Sequence, residues 1–281
     1  MQIVTTINEV RQQVKQWRQE GLTVGLVPTM GYLHEGHQSL IQKAVMQNDR
    51  VVVSDFVNPM QFAPTEDLAT YPRDLERDKK ACETAGAHLI FHPTPEEMYL
   101  PDFCSFVDMH GLTKGLCGQT RPIHFRGVCT VVMKLFQIVL PDRAYFGEKD
   151  AQQLAVIKQM VRDLNIPIEV IGCPIIRERD GLAKSSRNTY LSPEERQAAL
   201  VLYRSLEAAK ACCLQGEKSA QKLEASMRTI IEEEPLARID YVAIVDAKTL
   251  EPVEMLEGRT LFALAVYIGK TRLIDNFTYE G

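Results

Sequence analysis

The alternation of two kinds of segment over the first 176 residues limits this chain to few folds. Apolar runs of strand length alternate with amphipathic segments of helical length, an order typical of β-α units around a parallel sheet. Each predicted strand is rich in Val, Ile, Leu or aromatic residues and lies next to a Gly, Pro or Asn. The predicted strands are Thr23–Pro28, Val51–Val57, His88–His92, Arg143–Gly147 and Ile168–Ile176. We therefore predict an α/β fold with a parallel sheet.

Helices are predicted in the gaps between these strands. Lys149–Asn165 places its apolar residues three or four positions apart, which makes one buried stripe on a helix. Pro72–Ala85 and Val128–Val139 show a similar pattern, and a further helix is predicted to begin near Gln38.

The pattern of predicted elements changes at Arg177, where the polar turn RERDGLAKSSRN precedes two helical segments and a β-rich end. Ser192 has the position of an N-cap, with Pro193 as the first helical residue and Glu195 placed to bond back to the cap. The predicted elements are a helix from there to about Gly216, a helix over roughly Ser219–Glu233, and strands at Ile239–Val245 and Leu261–Ile268. We place the domain boundary here, with residues 1–176 as the first domain and residues 177–281 as a smaller α+β domain.

Composition excludes several classes of function. The formal net charge is -5, so the chain lacks the broad positive field that non-specific nucleic-acid binding needs. No segment approaches the roughly 20 apolar residues that cross a bilayer, and the N-terminus lacks a signal-peptide pattern. The seven cysteines form no C-x-x-C pair, which favours reduced thiols over a disulfide framework or a zinc ribbon. We expect a cytoplasmic protein with neither a nucleic-acid nor a membrane partner.

Ligands of open parallel sheets bind beyond the carboxyl ends of the strands, so the segments that follow the strands are the candidate site. The first strand leads into Pro28-Thr29-Met30-Gly31-Tyr32-Leu33-His34-Glu35-Gly36-His37. Glycine at 31 and 36 allows a ligand to approach the backbone closely, and the N-terminus of the following helix suits a phosphate. His34 and His37 add donors there; a helix-capping histidine pair and a metal site are the alternatives.

Three more strand ends carry polar residues. Asn58 to Phe62 offers uncharged amides for hydroxyl and carboxylate oxygens, although this segment taken by itself favours an ordinary turn with Asn and Pro. Glu148-Lys149-Asp150 places a cation at a helix N-terminus, with Gln153 one turn later. Lys184-Ser185-Ser186-Arg187-Asn188 gathers hydroxyls and cations on a flexible turn suited to a polyphosphate.

Five blocks together resemble one family, the pantothenate synthetases or pantoate–β-alanine ligases. They are PTMGYLHEGHQSL, FVNPMQF, RPIHFRGV, YFGEKDAQQL and SSRNTYLS, in the family's order and over essentially the whole chain. The resemblance implies a Rossmann-like nucleotidyl-transferase domain followed by a C-terminal lid domain, usually in a homodimer. It also implies that ATP adenylates the carboxylate of (R)-pantoate and that the amine of β-alanine then attacks pantoyl adenylate, giving pantothenate, AMP and pyrophosphate.

The resemblance further implies roles for individual residues. Met30, Gly31, Tyr32, Leu33, His34, Glu35, Gly36 and His37 match the ATP-binding H-x-G-H block, with His37 as proton donor or charge stabiliser and His34 as phosphate donor. Gln61 and Gln153 match the pantoate ligands, with Gln61 also near β-alanine. Gly147, Glu148, Lys149 and Asp150 match a second ATP segment, Ile176 a backbone contact to adenine, and Lys184, Ser185, Ser186 and Arg187 a pyrophosphate clamp. Lys184 departs from the family, which usually has Met or Leu there.

Mg²⁺ is expected with ATP, because it offsets the charge repulsion at the reacting phosphorus; its protein ligands stay unassigned. Three rival functions differ in testable features. A nucleotidyltransferase acting on a phosphorylated acceptor calls for cations where Gln61 and Gln153 stand. A tRNA-charging enzyme needs an anticodon-binding domain and a basic face. A non-catalytic nucleotide-binding protein has no need for so many phosphate-facing donors.

Overall fold

The computed structural model describes residues 1–281. In chain order the elements are β1 (Gln2–Val4), α1 (Ile7–Gln19), β2 (Val24–Thr29), α2 (Glu35–Gln47), β3 (Arg50–Asp55), α3 (Leu75–Ala85), β4 (Leu89–Phe91), α4 (Pro95–Met98), α5 (Cys117–Thr120), α6 (His124–Val139), β5 (Arg143–Gly147), α7 (Ala151–Asp163), β6 (Glu169–Cys173), α8 (Pro193–Ala198), α9 (Leu200–Leu214), α10 (Ala220–Glu232), β7 (Ala237–Asp246), β8 (Arg259–Ile268) and β9 (Thr271–Glu280). Short 3-10 turns cover Pro59–Gln61, Glu148–Asp150 and Ser186–Tyr190.

By its internal contacts the chain forms two compact units. The first unit comprises Met1–His110, Arg121–Glu148 and Val156–Pro174, and the second comprises Gly111–Thr120, Lys149–Ala155 and Ile175–Gly281. Two short segments from before residue 176 thus belong with the C-terminal part of the chain. They join it because they pack on its sheet, as described below.

The first unit is built on a six-stranded sheet in the order β1-β4-β3-β2-β5-β6, with every neighbouring pair parallel. Its central strands are buried on both faces, and Val51, Val52 and Val53 of β3 are fully inaccessible to solvent. A strand covered on both faces needs a continuous apolar run rather than an alternating one, which is what the sequence supplies. The predicted α/β fold with a parallel sheet is confirmed.

The order of the strands reverses at β2. Strand β2 pairs with β3 on one side and with β5 on the other, while the chain runs outward in both directions from this point. In open α/β sheets the crevice at such a reversal is the usual ligand site. The segments that follow β2, β3 and β5 therefore form the candidate site of this unit.

The second unit is built on an antiparallel sheet in the order β7-β8-β9. Residues from α9 and α10 pack on one face of the sheet, with Leu202, Leu206, Leu223, Met227, Phe262, Leu264 and Val266 fully or almost fully buried. The other face packs against Leu116, Ala151 and Ala155, which lie in the two short segments from earlier in the chain. The predicted smaller α+β unit is confirmed.

Several boundaries differ from the prediction. Helix α2 begins at Glu35 rather than near Gln38, because the His34 ring caps it. The helix predicted from Ser192 to about Gly216 is two helices, α8 and α9, although Ser192 and Glu195 form the predicted capping box. Strands β1 and β9 were not among the predicted elements. No helix combines the length and apolar character needed to span a bilayer.

Candidate functional site

Strand β2 leads into a tight turn before α2. Gly31 and Tyr32 have left-handed φ angles of 76° and 50°. A Cβ atom at residue 31 would strike the carboxylate of Asp55, so glycine is needed here for space as well as for its φ angle. The Thr29 hydroxyl accepts the Gly31 amide at 3.2 Å and donates to the Ser54 carbonyl at 2.7 Å. The turn is thus tied to the neighbouring strand β3.

His34 and His37 cap the N-terminus of α2 reciprocally. The Gly36 amide donates to His34 Nδ1 at 3.1 Å, and the His34 amide donates to His37 Nδ1 at 3.3 Å. Their rings stack with centroids 4.0 Å apart. Because both Nδ1 atoms accept, each neutral ring carries its proton on Nε2. Two Nε2 donors at the positive end of a helix suit an anion such as a phosphate.

Asp78 of α3 holds the same turn through hydrogen bonds to its backbone. Its carboxylate is 1% exposed and accepts the amides of Tyr32 at 2.7 Å and Leu33 at 2.6 Å. Burial raises the pKa of Asp78 to about 6, and the neighbouring negative charge of Asp55 raises it as well, although the hydrogen bonds to the two amides lower it. His92 Nδ1 lies 3.4 Å from the Asp55 carboxylate, which raises the pKa of His92 despite its burial. A titratable group of unusual pKa therefore fixes the backbone that precedes the two histidines.

Two hydrogen-bonded amide side chains, those of Asn58 and Gln61, follow β3. The side chain of Gln61 is oriented at both ends, because its Oε1 accepts Asn58 Nδ2 at 3.0 Å and its Nε2 donates to Met30 Sδ at 3.1 Å. Asn58 is 1% exposed and also accepts the Tyr99 hydroxyl at 2.7 Å and donates to the Gly127 carbonyl at 3.1 Å. This network links the Gln61 amide to Met30, the first residue of the histidine turn.

The main chain of Gln61 is held equally firmly. Its carbonyl oxygen accepts His124 Nδ1 at 3.0 Å and the guanidinium of Arg121 at 3.3 Å, and Arg121 also pairs with Glu66. Helix α6 approaches so closely at Gly127 that a Cβ atom there would lie 2.6 Å from Gln61 Cα. The turn at residues 59–61 is therefore held through both the side chain and the main chain of Gln61.

The remaining predicted residues divide between the units. Gly147 and Glu148 end β5 in the first unit, next to β2, whereas Lys149, Asp150, Gln153, Ile176 and Lys184–Arg187 belong to the second unit. Lys149 Nζ lies 3.9 Å from the Asp150 carboxylate. Gln152 is committed to structure, since it accepts the Cys117 amide at 2.9 Å and donates to the carbonyls of Leu112 and Gly115. The adjacent Gln153 is only partly buried and its amide takes part in no such bond.

The turn RERDGLAKSSRN folds as a short hairpin. Arg177 pairs with Ala183, and the Lys184 amide donates to the Ile176 carbonyl at 2.9 Å. A 3-10 turn over Ser186–Tyr190 follows, capped by the Ser185 hydroxyl, which accepts the Arg187 amide at 3.3 Å. The predicted clamp residues thus start where the hairpin ends.

Comparison with known proteins identifies the family. The sequence profile of pantoate-β-alanine ligase matches residues 2–278. The chain belongs to the pantoate-β-alanine ligase family. A pantothenate synthetase of Enterococcus faecalis is 62% identical over 280 residues, covering 100% of this chain and 99% of its own, and one of Clostridium acetobutylicum is 60% identical over 280 residues and covers 100% of both.

Two solved structures of pantoate-β-alanine ligases resemble this chain over nearly its whole length. The crystal structure of pantothenate synthetase from Thermus thermophilus has a TM-score of 0.94 and 47% identity, with 99% of each chain covered. The pantoate-β-alanine ligase of Francisella tularensis, complexed with β-γ ATP and β-alanine, has a TM-score of 0.80 and 35% identity, covering 99% of this chain and 97% of the other.

Sequence reasoning missed two residues that hold the candidate site together. Asp78 is not among the predicted site residues, and the sequence alone favours an ordinary turn at Asn58. In the structure Asp78 holds the backbone before the two histidines, and Asn58 orients the side chain of Gln61. Asp78 lies on the amphipathic segment Pro72–Ala85, where a buried carboxylate shows no periodicity of its own. The signal that points to Asn58 is its separation of three residues from Gln61 across a proline turn.

Proposed function

We propose that this chain joins (R)-pantoate to β-alanine with ATP, through an enzyme-bound pantoyl adenylate. One observation carries the proposal: the first unit contains two Nε2 donors, those of His34 and His37, at a helix N-terminus, together with the fixed side-chain amide of Gln61. The Gln61 amide donates to Met30, the residue that begins the histidine turn. The donors suit the phosphates of ATP, and the neutral amide suits a small hydroxy acid. A phosphorylated acceptor would require cations in place of Gln61.

The chemistry follows from these groups in two steps. A carboxylate oxygen of pantoate attacks the α-phosphorus of ATP, and the bond to the pyrophosphate oxygen breaks. The amine of β-alanine then attacks the acyl carbon of the adenylate, AMP leaves, and the nitrogen loses one proton. In the first step His37 and His34 donate from Nε2 to phosphate oxygens, where hydrogen bonds strengthen as charge develops. Gln61 orients the pantoate carboxylate, which converts an encounter into a positioned reaction.

The second unit supplies the cations of the proposal. Lys149 and Arg187 would neutralise the charge of the triphosphate, with Ser185, Ser186 and Lys184 alongside Arg187, and Gln153 would share pantoate with Gln61. Gly147, Glu148 and Asp150 would border ATP, and the backbone of Ile176 would meet adenine. Gln61 would also touch β-alanine. Each of these roles is part of the proposal and rests on the match to the family blocks.

Mg²⁺ is proposed to enter as part of the substrate, MgATP. No group of three or more His, Cys, Asp or Glu side chains is arranged to hold a metal ion, which fits a cation carried mainly by phosphate oxygens. A homodimer and a cytoplasmic location complete the proposal, on the basis of the family resemblance. Light scattering of the purified protein tests the dimer.

The decisive experiment is exchange of labelled pyrophosphate into ATP, with Mg²⁺ and pantoate present and β-alanine omitted. Exchange that depends on pantoate is the expected result, because it requires a reversible adenylation before β-alanine binds. Folded protein that binds ATP, shows no exchange and releases no AMP when β-alanine is added would overturn the proposal.

A further inference from the structure

Strand β9 carries two consecutive buried polar residues, Asp275 and Asn276, which are 2% and 5% exposed. Neighbouring side chains of a strand point to opposite faces of the sheet. Asp275 is paired with Leu264, on the face covered by α9 and α10, and Asn276 is paired with Ala263, on the opposite face. Buried polar groups persist in a sheet only where each has a partner.

Asp275 holds the hairpin. Its carboxylate accepts two hydrogen bonds from the Arg177 guanidinium, at 2.6 Å and 2.9 Å, in a bidentate arrangement. The same guanidinium donates to the Gly181 carbonyl at 3.0 Å and to the Asn276 carbonyl at 3.4 Å. It also lies 4.9 Å from the centroid of the Tyr203 ring. Arg177 therefore joins both ends of the hairpin turn to β9.

The hairpin in turn sets the position of Lys184. The Lys184 amide donates to the carbonyl of Ile176, the residue that precedes Arg177 in the chain. This hydrogen bond ties the backbone at residue 184 to the segment that the Arg177–Asp275 pair anchors. Asn188 closes the other end by donating to the Ala183 carbonyl at 3.1 Å. Lys184, Ser185, Ser186 and Arg187 lie between these two bonds.

Asn276 holds the second cation-bearing segment. Its Nδ2 donates to the Lys149 carbonyl at 2.8 Å. This bond fixes the 3-10 turn of residues 148–150 from the face of the sheet opposite to Asp275. Adjacent residues of one strand thus reach the two segments that carry Lys149 and Arg187.

We propose that Asp275 and Asn276 are positioning residues that fix the Lys149 segment and the Lys184–Arg187 segment at a set spacing along β9, so that both engage one triphosphate together. This inference rests on the proposed function. Two cations that engage one triphosphate repel each other, and anchored backbones lower the cost of bringing them together. Pyrophosphate leaves in the first step, so the spacing matters for adenylation and not for the attack of the amine.

The test uses Asp275→Asn and Asn276→Ala in the full-length protein. Two half-reactions are compared: pantoate-dependent pyrophosphate exchange, and release of AMP from supplied pantoyl adenylate with β-alanine. We expect kcat/KM for ATP in the exchange to fall by about tenfold or more, while the second half-reaction stays within about twofold of the wild type. Trypsin should also cut the Asp275→Asn hairpin faster than the wild-type hairpin, after Arg177, Arg179 or Lys184.

Asp240→Asn is the matched control. Asp240 of β7 forms a similar shielded pair with Arg272 of β9, at 2.7 Å, but contacts neither cation-bearing segment. It should lower the melting temperature without an ATP-specific loss. If Asp275→Asn does not fold, Arg177→Lys takes its place, because it keeps the positive charge but cannot form the bidentate pair with Asp275.

The outcomes separate the two levels of inference. Equal losses in both half-reactions, of the size seen in Asp240→Asn, would mean a merely structural role and would overturn the positioning proposal. Unchanged kcat/KM for ATP in a folded Asp275→Asn variant would overturn it too. Absence of both pyrophosphate exchange and β-alanine-dependent AMP release in the wild type would instead defeat the proposed function, and the trypsin comparison would still test whether Asp275 anchors the hairpin.

Discussion

The backbone amide of His34 donates to Nδ1 of His37 at 3.3 Å, although both residues belong to the motif expected to bind phosphate. Nδ1 of His37 therefore has a structural role, and the reaction role proposed for His37 falls to Nε2. The Nδ1 bond completes the cap of α2 and fixes which nitrogen carries the proton of the neutral ring. A substitution that removes the whole ring consequently removes two functions at once.

Replacement of His37 by Asn and by Ala separates these functions. Asn presents an acceptor near the position of Nδ1, so His37→Asn should keep the helix cap, whereas His37→Ala should lose it at about 1 kcal/mol of stability. Both variants should lose the Nε2 donor and slow adenylation by about 100-fold or more. Pyrophosphate exchange and thermal unfolding measure the two effects. Normal exchange in a folded His37→Asn protein would remove Nε2 from the reaction.

The Gln61 amide predicts a selective defect in pantoate binding. Because its side chain is oriented by Asn58 and Met30, Gln61→Ala removes a preformed contact. We expect the KM for pantoate to rise about tenfold or more while the KM for ATP changes little. Asn58→Ala should produce a weaker version of the same defect. Equal effects on pantoate and ATP would move Gln61 out of the pantoate pocket.

Asp78 predicts a pH dependence with opposite signs for stability and activity. Its folded-state pKa of about 6 exceeds its ordinary value of 3.8, so the native protein holds this proton more tightly than the unfolded chain does. The contribution of Asp78 to the free energy of unfolding should therefore fall as the pH rises from about 4 to 6. Adenylation should rise over the upper part of that range, because only the ionised carboxylate accepts both amides.

Asp78→Asn tests both signs. The variant keeps the size of the side chain but leaves one buried amide without an acceptor, at a cost of about 1–3 kcal/mol. Its exchange rate should be low and should lack the rise near pH 6 that the wild type shows. Asp55, His92 and Arg77 also influence this carboxylate or lie beside it, and the pKa of His92 is raised from 6.5 by Asp55. His92→Gln is therefore the control, and a rise that disappears there but persists in Asp78→Asn would assign the titration to His92.

The parallel sheet was predictable because burial on both faces forces continuous apolar runs. Strand β9 was missed for the opposite reason: Asp275 and Asn276 interrupt its apolar pattern. Their partners, Arg177 and the Lys149 carbonyl, lie 98 and 127 residues away in sequence, so no local pattern shows that these polar groups are satisfied. Strand β1 has only three residues, too few to show a period.

Some residues of the candidate site were likewise predictable from the sequence, and others were not. Residues at the ends of strands, such as His37 and Gln61, follow from topology, since parallel strands end at one edge of the sheet. Residues that hold them are invisible to this reasoning. Asp78 contacts the turn only after α3 has packed against α2, and its role depends on two backbone amides rather than on any side-chain pattern.

Gly127 of α6 provides a test of this packing dependence. A Cβ atom at residue 127 would lie 2.6 Å from both N and Cα of Gln61 and would also strike the Met60 carbonyl, all of which are backbone atoms with little freedom to move. Gly127→Ala should therefore push the turn at residues 59–61 away from α6 and cost about 1–3 kcal/mol of stability. The KM for pantoate should rise with little change in the KM for ATP, as in Gln61→Ala, although residue 127 lies in a helix and carries no functional group.

Gly115→Ala is the matched control, because nothing lies within 4 Å of its added Cβ. Thermal unfolding with steady-state kinetics measures both effects, and a loss of stability with an unchanged KM for pantoate would show that the turn tolerates displacement.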